Sequence, residues 1–233
     1  MPAFNEASVI SPAVRETIGT LNRFNWKYEV VVIDDGSNDA TLKRLEALAE
    51  EFPQLVVARN FENYGKGRAL KKGFRSTMGD YVVFLDCDLD LHPEQIPTLF
   101  EKMNKENADV VIGSKRHPDS KVEYAWHRQV ISSVYFFLVK MLFGLPIRDT
   151  QTGLKIFKRE VLAKVFPRML VKRYAYDLEL LALAHHYGYQ IAQAPVVLQT
   201  KRYQHRIRWI DIVHTFLDTV AVWYRMSVLK WYD

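Results

Sequence analysis

The stretch Tyr81-Val82-Val83-Phe84-Leu85-Asp86-Cys87-Asp88 decides the fold of this chain, because an apolar run is followed at once by two carboxylates. A short apolar run bounded by polar residues predicts a buried strand. Side chains that follow a strand of a parallel sheet lie at its carboxyl edge, where ligands bind in open α/β folds. Asp86 and Asp88 are therefore candidate ligands for a divalent cation that also binds a diphosphate. An isolated pair of this kind also fits an ordinary turn.

A second strand end with paired carboxylates lies upstream, where residues 30–39 read Val-Val-Val-Ile-Asp-Asp-Gly-Ser-Asn-Asp. The β-branched run predicts a strand, Gly36 can adopt a positive φ, and the residues after it can cap a helix beginning near Ala40. Residues 2–6, Pro-Ala-Phe-Asn-Glu, precede this unit. Such a strand end can bind a base and a ribose.

Helical and strand patterns alternate through the first half of the chain. The predicted helices cover residues 8–23, 40–51, 66–77 and 93–105, and the predicted strands cover residues 29–33, 55–58, 81–85 and 109–112. This alternation is typical of β-α units on a parallel sheet. Residues 63–68, Asn-Tyr-Gly-Lys-Gly-Arg, precede the third helix, where such a loop can approach a phosphate or form an ordinary turn.

Composition limits the class of protein. A chain of 233 residues, 48% of them hydrophobic, can bury the core of one α/β domain with an appendage. The net charge of +5 favours an anionic partner, either a phosphate-rich ligand or a membrane surface. We expect no nucleic acid partner, because the basic residues are dispersed and no nucleic-acid-binding motif is present. The single cysteine, Cys87, excludes an internal disulfide and a multi-cysteine zinc site.

Three motifs together resemble the family 2 glycosyltransferases with the GT-A fold: P-x-F-N-E at residues 2–6, V-I-D-D-G-S-x-D at residues 32–39 and D-x-D-x-D-x-H-P at residues 86–93. Their order and spacing also match, and the resemblance covers nearly the whole chain. Two later motifs, R-D-T-Q-T-G-L-K at residues 148–155 and Y-A-Y-D-L-E-L at residues 174–180, resemble polyprenyl-phosphate hexose synthases, namely dolichyl-phosphate glucosyltransferases and mannose synthases.

The resemblance implies an α/β protein with a mainly parallel central sheet flanked by helices, and amphipathic interface helices in the second half. It also implies an apolar strand before residues 2–6, where only Met1 stands, so we expect a late start assignment or absent upstream residues. We expect residues 1–206 to form the GT-A catalytic domain, including an interface helix at about residues 126–145. We expect residues 207–233 to form a C-terminal amphipathic helix at the membrane interface.

The resemblance also implies a set of donor-binding residues. Ile33 and Asp35 would contact the base, while Asp34 would support the loop. Lys115 or Arg116, in Gly-Ser-Lys-Arg, would lie near phosphate, and the thiol of Cys87 is expected to serve packing. The full donor-binding set is Pro2, Phe4, Glu6, Ile33, Asp35, Asp86, Cys87, Lys115, Arg116, Lys201, Arg202, Arg206 and Arg208.

Transfer of a sugar from a nucleoside diphosphate requires that the charge of the leaving diphosphate be neutralised. Mg²⁺ or Mn²⁺ held by Asp88 can do this as a Lewis acid, with Asp86 binding the metal or the ribose. Asp90 adds a third carboxylate as a metal ligand or a partner of its water shell; mannose synthases usually have Gln there.

The implied acceptor is a polyprenyl phosphate, whose oxygen is already anionic at neutral pH, so positioning and charge should dominate catalysis. Arg128 and Ser132 are four residues apart on the predicted interface helix and share a face that would hold this phosphate. Gln151 and Asp177 lie in motifs near the sugar site, and either can bind a hexose hydroxyl. Asp177 and Glu179 can alternatively brace their own helix. The catalytic set is Asp86, Asp88, Arg128, Gln151 and Asp177.

Two segments of the second half carry apolar and aromatic residues at helical spacing. Residues 126–147 are interrupted by Lys140, Gly144 and Pro146, and residues 209–232 contain Asp211, Asp218 and Arg225. A bilayer-spanning helix needs about 20 predominantly apolar residues. We therefore predict helices that lie in the interface, with Tyr135 to Phe137 near the headgroups; a core helix is the alternative for the first segment.

The sequence thus predicts a metal-dependent, inverting transferase that moves a hexose from a nucleotide sugar to a polyprenyl or dolichyl phosphate. It would be peripheral, at the cytoplasmic face of a membrane. UDP-glucose and GDP-mannose are not separated, although the later motifs lean toward glucosyl transfer. The alternatives are a family 2 enzyme with a soluble or glycan acceptor and a non-catalytic subunit that binds sugar nucleotides.

Overall fold

The computed structural model describes residues 1–122, 126–172, 175–198 and 209–233, with the backbone alone at residues 126–131 and 209. The strands are β1 (Pro2–Ala3), β2 (Val30–Asp35), β3 (Leu55–Asn60), β4 (Tyr81–Phe84), β5 (Val110–Ser114), β6 (Lys155–Lys158) and β7 (Ile191–Pro195). The helices are α1 (Ile10–Leu21), α2 (Thr41–Glu51), α3 (Lys66–Arg75), α4 (Ile96–Glu106), α5 (Trp126–Phe143), α6 (Arg159–Val165), α7 (Tyr176–His186) and α8 (Trp209–Trp223). The four helices and four strands predicted in the first half are confirmed, with ends shifted by a few residues.

The strands form two ladders. Strands β1, β2 and β3 are parallel, and β4, β6, β5 and β7 follow in that order, with β6 antiparallel to β4 and β5 and β5 parallel to β7. The Cys87 thiol, just beyond β4, donates to the carbonyl of Pro2 in β1 at 3.2 Å and so joins the two ladders at their carboxyl edge. The mainly parallel α/β fold is confirmed, and β6 is the antiparallel exception.

Strand β2 explains why helices cover both faces. All six of its residues are buried. Val30 and Val32 belong to the core cluster that contains Ile10 of α1, whereas Val31 and Ile33 pack with Ala69 of α3. Because successive side chains of a strand point to opposite faces, a fully buried strand needs a covering layer on each side.

The loops after β1 and β2 are joined by reciprocal hydrogen bonds. The Asn5 amide donates to Ser37 Oγ at 2.9 Å, and the Asn38 amide donates to Asn5 Oδ1 at 2.9 Å. The Ala7 amide donates to Asp39 Oδ2 at 3.0 Å. Asn5 has a φ of +55°, a left-handed conformation that Asn tolerates better than most residues. These bonds fix one wall of the carboxyl edge.

Helices α5 and α8 pack together and leave apolar residues exposed. The Tyr135 hydroxyl lies 3.2 Å from Thr219 Oγ1, and Val222 of α8 is fully buried. The exposed side chains include Val134, Phe137 and Met141 of α5 and Ile210, Val213, Phe216, Leu217 and Val220 of α8. Among the described residues, no helix is long and apolar enough to cross a membrane. Tyr135 itself packs inward, so only part of the predicted aromatic run faces outward.

The carboxylate of Glu179 in α7 joins two distant segments. Its Oε2 accepts the amides of Leu170 and Val171 at 2.9 and 2.6 Å. Its Oε1 accepts the Tyr232 hydroxyl at 2.5 Å and lies 3.3 Å from Arg225 Nη2. Glu179 therefore braces a loop and the C-terminal segment.

Candidate active site

Asp86 lies at the carboxyl edge of the sheet in an ion pair that the fold builds from three segments. Lys66, the first residue of α3, places its Nζ 2.6 Å from Asp86 Oδ1. The other carboxylate oxygen lies against Gly153, so close that a Cβ on residue 153 would overlap it. The loop before α3 and the Thr-Gly turn before β6 therefore both define the position of this carboxylate.

A second ion pair is buried beside the first. Lys155 of β6 is 1% exposed and Asp177 of α7 is 6% exposed, and their Nζ and Oδ1 atoms are 2.5 Å apart. Lys155 also donates to the carbonyl of Thr152. Because a buried charge is tolerated only when paired and hydrogen-bonded, these contacts account for a lysine in the middle of the core.

The two pairs interact electrostatically. Burial opposes ionisation of Asp86, but Lys66, and beyond it Lys155 and Lys115, hold the pKa of its carboxyl below the ordinary value. Burial also opposes the charge on Lys66, yet Asp86, Asp177 and Asp88 keep its pKa raised. For Asp177 burial dominates and raises the pKa, despite Lys155 and Lys66. The site thus holds charges of both signs close together, and its lysine cations favour binding of a diphosphate.

Asp88 lies in a tight loop that exposes carboxylate oxygens. Its Oδ1 accepts the amide of Asp90 at 3.1 Å, and the intervening Leu89 has a φ of +53°. A buried Leu in this left-handed region is strained, by about 1–3 kcal/mol for such conformations, and such strain is concentrated at functional sites. Among the described residues, no group of three His, Cys, Asp or Glu side chains converges to form a closed metal site. Partly exposed carboxylates such as Asp86 and Asp88 fit Mg²⁺ or Mn²⁺, which commonly use one or two carboxylates and complete their coordination with substrate phosphates and water.

Asp34 and Asp35 both accept hydrogen bonds from loops at the carboxyl edge. The Asp35 carboxylate accepts Asn60 Nδ2 at 2.6 Å, the Tyr64 amide at 3.3 Å and the Gly65 amide at 2.8 Å, so it supports the loop before α3. Asp34 Oδ2 is buried and makes no hydrogen bond, but it forms a long ion pair with Arg59 Nε at 3.9 Å. Asp34 supports a loop as predicted, because its Oδ1 accepts the amide of Ser37 at 3.4 Å, and contact of Asp35 with the base stays a prediction.

Two other predicted donor contacts are core side chains. Ile33 is 2% exposed and packs so closely under α3 that a Cβ on Gly73 would overlap it. Cys87 is 4% exposed, and burial raises the pKa of its thiol to about 12. Strand alternation turns Ile33 inward, and contact of Ile33 or Cys87 with the donor stays a prediction. The expectation that Cys87 serves packing is confirmed.

The residues of the P-x-F-N-E motif line the same edge. Pro2 pairs with Ile33 in the ladder, Phe4 is 39% exposed, and the Glu6 amide donates to Thr41 Oγ1 at 2.8 Å. A half-exposed aromatic ring beside Asp34 is suited to stacking on a base.

Buried polar atoms without partners cluster in the strand-end motifs. In the described part of the chain, those on side chains are Asp34 Oδ2, Ser114 Oγ and Thr152 Oγ1. Buried polar groups are nearly always satisfied in folded proteins, so exceptions require a reason. Asp34 and Ser114 lie at the carboxyl ends of β2 and β5, and Thr152 lies just before β6, which suggests ligand contacts along one edge.

Arg116 and Ser132 are brought together. Arg116 Nη2 donates to Ser132 Oγ at 2.9 Å and to Ser133 Oγ at 3.0 Å, and its guanidinium lies over the ring of Phe136. Arg128 lies one turn before Ser132 on α5, and its side chain is outside the described residues.

The loop at residues 148–153 lies beside this pair. Asp149 accepts the amides of Lys115 and Gln151 at 3.0 and 3.1 Å, and the Gln151 side chain is exposed. A narrow cleft is lined by Arg116, Ser132, Arg148 and Gln151. Four predicted donor contacts, Lys201, Arg202, Arg206 and Arg208, lie outside the described residues.

Lys66, Lys155 and Thr152 were not in the predicted site. The Gly-Lys-Gly sequence around Lys66 indicated a loop before a helix, but no local pattern identified Asp86 as the partner of this lysine. The Lys155 pairing requires knowledge that β6 lies beside β4 and β5 and that α7 covers them.

Replacing Gly153 with Ala is expected to weaken binding of a nucleoside diphosphate by about tenfold or more, because the new Cβ displaces the Asp86 carboxylate. A UDP titration monitored by calorimetry would measure this. The control is Gly19→Ala in α1, where a Cβ meets nothing within 4 Å and is expected to stabilise the protein by about 0.5–1 kcal/mol. Unchanged UDP affinity in folded Gly153→Ala protein would contradict the placement of the site.

The sequence is similar to those of several glycosyltransferases. The chain is 29% identical over 230 residues to glycosyltransferase AglD of Haloferax volcanii, covering 98% of this chain and 37% of that protein. It is 29% identical over 211 residues to a dolichyl-phosphate beta-glucosyltransferase of Dictyostelium discoideum, covering 84% of this chain and 64% of the relative. A protein of the same name from Trichomonas vaginalis is 30% identical, with 84% and 61% covered. The chain therefore spans between about a third and two thirds of the length of these relatives.

Solved structures share the fold. Glucosyl-3-phosphoglycerate synthase from Mycobacterium tuberculosis, crystallised with Mn²⁺, UDP and phosphoglyceric acid, superposes with a TM-score of 0.72 at 24% identity, covering 96% of this chain and 75% of that chain. The model of the family described as glycosyl transferase family 2 matches residues 1–166. With its strand-end carboxylates, its mainly parallel sheet and this match over most of its length, the chain belongs to glycosyl transferase family 2.

Proposed function

We propose that the protein transfers a hexose from a nucleotide sugar to a polyprenyl phosphate. The observation that carries this proposal is the Lys66–Asp86 ion pair at the carboxyl edge. The motifs beside it hold two buried oxygens, Asp34 Oδ2 and Thr152 Oγ1, that make no hydrogen bond. The names of the relatives, dolichyl-phosphate beta-glucosyltransferases, support a lipid phosphate acceptor and glucose as the sugar. We therefore favour UDP-glucose as donor and keep GDP-mannose as the alternative.

Donor binding follows from the charges of the site. Asp35 contacts the base, and Asp34 Oδ2, which makes no hydrogen bond, is the alternative acceptor for a ring N–H. Lys66 holds Asp86 in place and contributes positive potential beside the diphosphate. Asp88, with Asp86 or Asp90, would hold Mg²⁺ or Mn²⁺, which supplies Lewis-acid neutralisation of the leaving group. Asp177 and Gln151 orient the hexose hydroxyls.

Acceptor binding is assigned to the cleft between the loop after β5 and helix α5. Arg116 and Ser132 are in contact there, and Arg128 shares the helix face of Ser132. A phosphate placed at this cleft accepts from the guanidinium groups and the hydroxyl. Its oxygen is already charged and attacks the anomeric carbon directly, so the reaction inverts configuration and needs no protein nucleophile.

The exposed apolar side chains of α5 and α8 support attachment to a membrane surface. We propose that the protein is peripheral, on the cytoplasmic face, with residues 207–233 serving as an interfacial segment after a catalytic domain of residues 1–206. Contiguous exposed apolar patches of this kind mark membrane or protein interaction sites.

The experiment that tests the function is a melting-temperature panel of UDP- and GDP-sugars with Mn²⁺, followed by transfer of the best donor to a short polyprenyl phosphate. We expect UDP-glucose to stabilise the protein most and its glucose to appear on the lipid. Transfer to 3-phosphoglycerate and not to lipid would favour a soluble acceptor. We choose 3-phosphoglycerate because the Mycobacterium tuberculosis structure contains phosphoglyceric acid. Binding of donor with no transfer to lipid or soluble acceptors would favour a non-catalytic subunit.

Replacing both Phe137 and Met141 with Ser is expected to reduce binding to neutral phosphatidylcholine vesicles by about a hundredfold. The two side chains are 72% and 76% exposed, and burial of each contributes about 1.5–3 kcal/mol when complete. Vesicle sedimentation measures the change. The control is Met78→Ser, which removes a side chain 84% exposed outside α5 and α8. Equal losses in the two variants would argue against attachment through this face, and UDP affinity should not change in either.

A further inference from the structure

A groove lined by basic residues lies along α3, and neither Asp86 nor Asp88 lines it. It encloses about 550 Å³, and its basic lining residues are Arg68, Lys71, Lys72, Arg75 and Lys172. Among the residues that the structure describes, no Asp or Glu lines it. We call this the basic groove. Its size lies in the range typical of small-molecule sites.

The positive charges of the basic groove are held close together. Arg68, Lys71 and Arg75 are spaced by three and four residues on one helix and therefore lie on one face. Burial, together with repulsion from Arg75 and Arg68, lowers the pKa of Lys71. Like charges on neighbouring turns destabilise a helix, and a bound anion would remove that cost.

Some of these cations are already positioned by their neighbours. The Arg68 guanidinium lies 4.2 Å from the centre of the Tyr64 ring, and Lys72 donates to the carbonyl of Arg59. Lys71 Nζ lies 3.5 Å from the carbonyl of Met169. These contacts orient the cations without neutralising them, because aromatic rings and carbonyls carry no net charge.

The surroundings of the groove indicate a lipid headgroup as the anion. Phe61 and Leu170 are lining residues that are 87% and 47% exposed, so apolar surface adjoins the cations. The amide of Leu170 is bonded to Glu179, which also holds Arg225 and Tyr232 of the segment after α8. One wall of the groove is thus physically continuous with the proposed membrane-binding segment.

We propose that the basic groove binds the phosphate-bearing headgroup of an anionic membrane lipid. This inference rests on the membrane attachment in the proposed function, and it assigns to α3 a site whose cations are not those assigned to donor or acceptor. Cations held near an anionic leaflet each strengthen attachment, whereas they contribute little on a neutral bilayer.

The test compares two triple variants of the full chain on phosphatidylcholine vesicles with and without phosphatidylglycerol. The groove variant is Arg68→Gln, Lys71→Gln and Arg75→Gln, and the control is Lys27→Gln, Lys43→Gln and Lys105→Gln, which removes the same charge from exposed positions elsewhere. We expect the groove variant to bind anionic vesicles roughly a hundredfold more weakly than the unmodified protein, since each surface cation contributes about tenfold or less. The control variant should lose much less, and neither should change on neutral vesicles.

Several outcomes overturn the proposal. Equal losses in both triple variants would mean that net charge alone acts, and unchanged binding by the groove variant would mean that α3 does not touch lipid. Competition by free pyrophosphate, with the same dependence on Arg68, Lys71 and Arg75, would assign the groove to a soluble anion. Binding to neither kind of vesicle would overturn membrane attachment as well, while UDP-glucose turnover would still test the transferase. If the triple variant unfolds, Lys71→Gln alone should give a smaller loss in the same direction.

Discussion

Replacing Asp88 with Asn is expected to lower hexose transfer by about a thousandfold while leaving the fold intact. The amide keeps the acceptor oxygen for the Asp90 amide but removes the negative charge that a divalent cation requires. Neutralisation of a departing diphosphate by a metal contributes several kcal/mol, and each 1.4 kcal/mol is about tenfold in rate. Steady-state kinetics and calorimetry of Mn²⁺-dependent UDP binding would measure the two effects separately.

Asp90→Asn is the matched comparison for this experiment. It makes the same chemical change two residues away. If Asp90 acts only through the water shell of a metal, Asp90→Asn should lower hexose transfer much less than Asp88→Asn does. Equal reductions in the rate would make Asp90 a direct ligand. Full activity and metal-dependent UDP binding in Asp88→Asn would refute the assigned role of Asp88.

Replacing Lys155 with Met is expected to lower the free energy of unfolding by about 3–5 kcal/mol, because it leaves the buried Asp177 carboxylate without its partner. Urea unfolding at neutral pH measures this. The double variant Lys155→Met with Asp177→Leu should recover most of the stability, since a well-packed apolar pair can replace a buried ion pair. Recovery of stability without recovery of transfer would separate the folding role of the pair from its role at the sugar.

The free energy of unfolding of the Lys155→Met variant should depend on pH in a definite direction. Burial already raises the pKa of Asp177 above its ordinary value of 3.8, and loss of Lys155 raises it further. Between the unfolded pKa and this higher folded pKa, the folded state binds the proton more readily, so stability falls as pH rises through that window. The deficit relative to the unmodified protein should therefore shrink as pH is lowered toward 4. A deficit that grows on acidification would contradict the assignment.

The sequence predicted the elements whose cause is local. Periodic apolar residues marked α1 to α4, and short β-branched runs ending in Asp marked β2 and β4. Strand β6 was missed because Lys-Ile-Phe-Lys is too short to distinguish from a loop, and its antiparallel pairing depends on distant partners. Buried Lys155 follows from that pairing and could not be inferred without it.

In the candidate site, too, the features set by local sequence were predicted and those set by tertiary contacts were not. The carboxylates at residues 86 and 88 were predicted correctly to lie at a sheet edge, because strand ends are local features. The contacts of Asp35 could not be predicted, since adjacent strand residues face opposite sides and only the path of residues 60–65 brings that loop to this carboxylate. Tyr135 turns inward because it contacts Thr219, 84 residues later, which helical periodicity alone does not reveal.

The shared bonds of Glu179 have a thermodynamic consequence. Removing Arg225 and Tyr232 from Glu179 would leave an uncompensated charge in the interior and loosen Leu170 and Val171. The carbonyl of Lys172, the next residue, accepts the amide of Gly67. Gly67 directly follows Lys66, which pairs with Asp86. Docking of the carboxyl-terminal tail and ordering of the active site are therefore linked equilibria. A partner that immobilises the tail also reduces the conformational entropy that the active site loses when substrate binds.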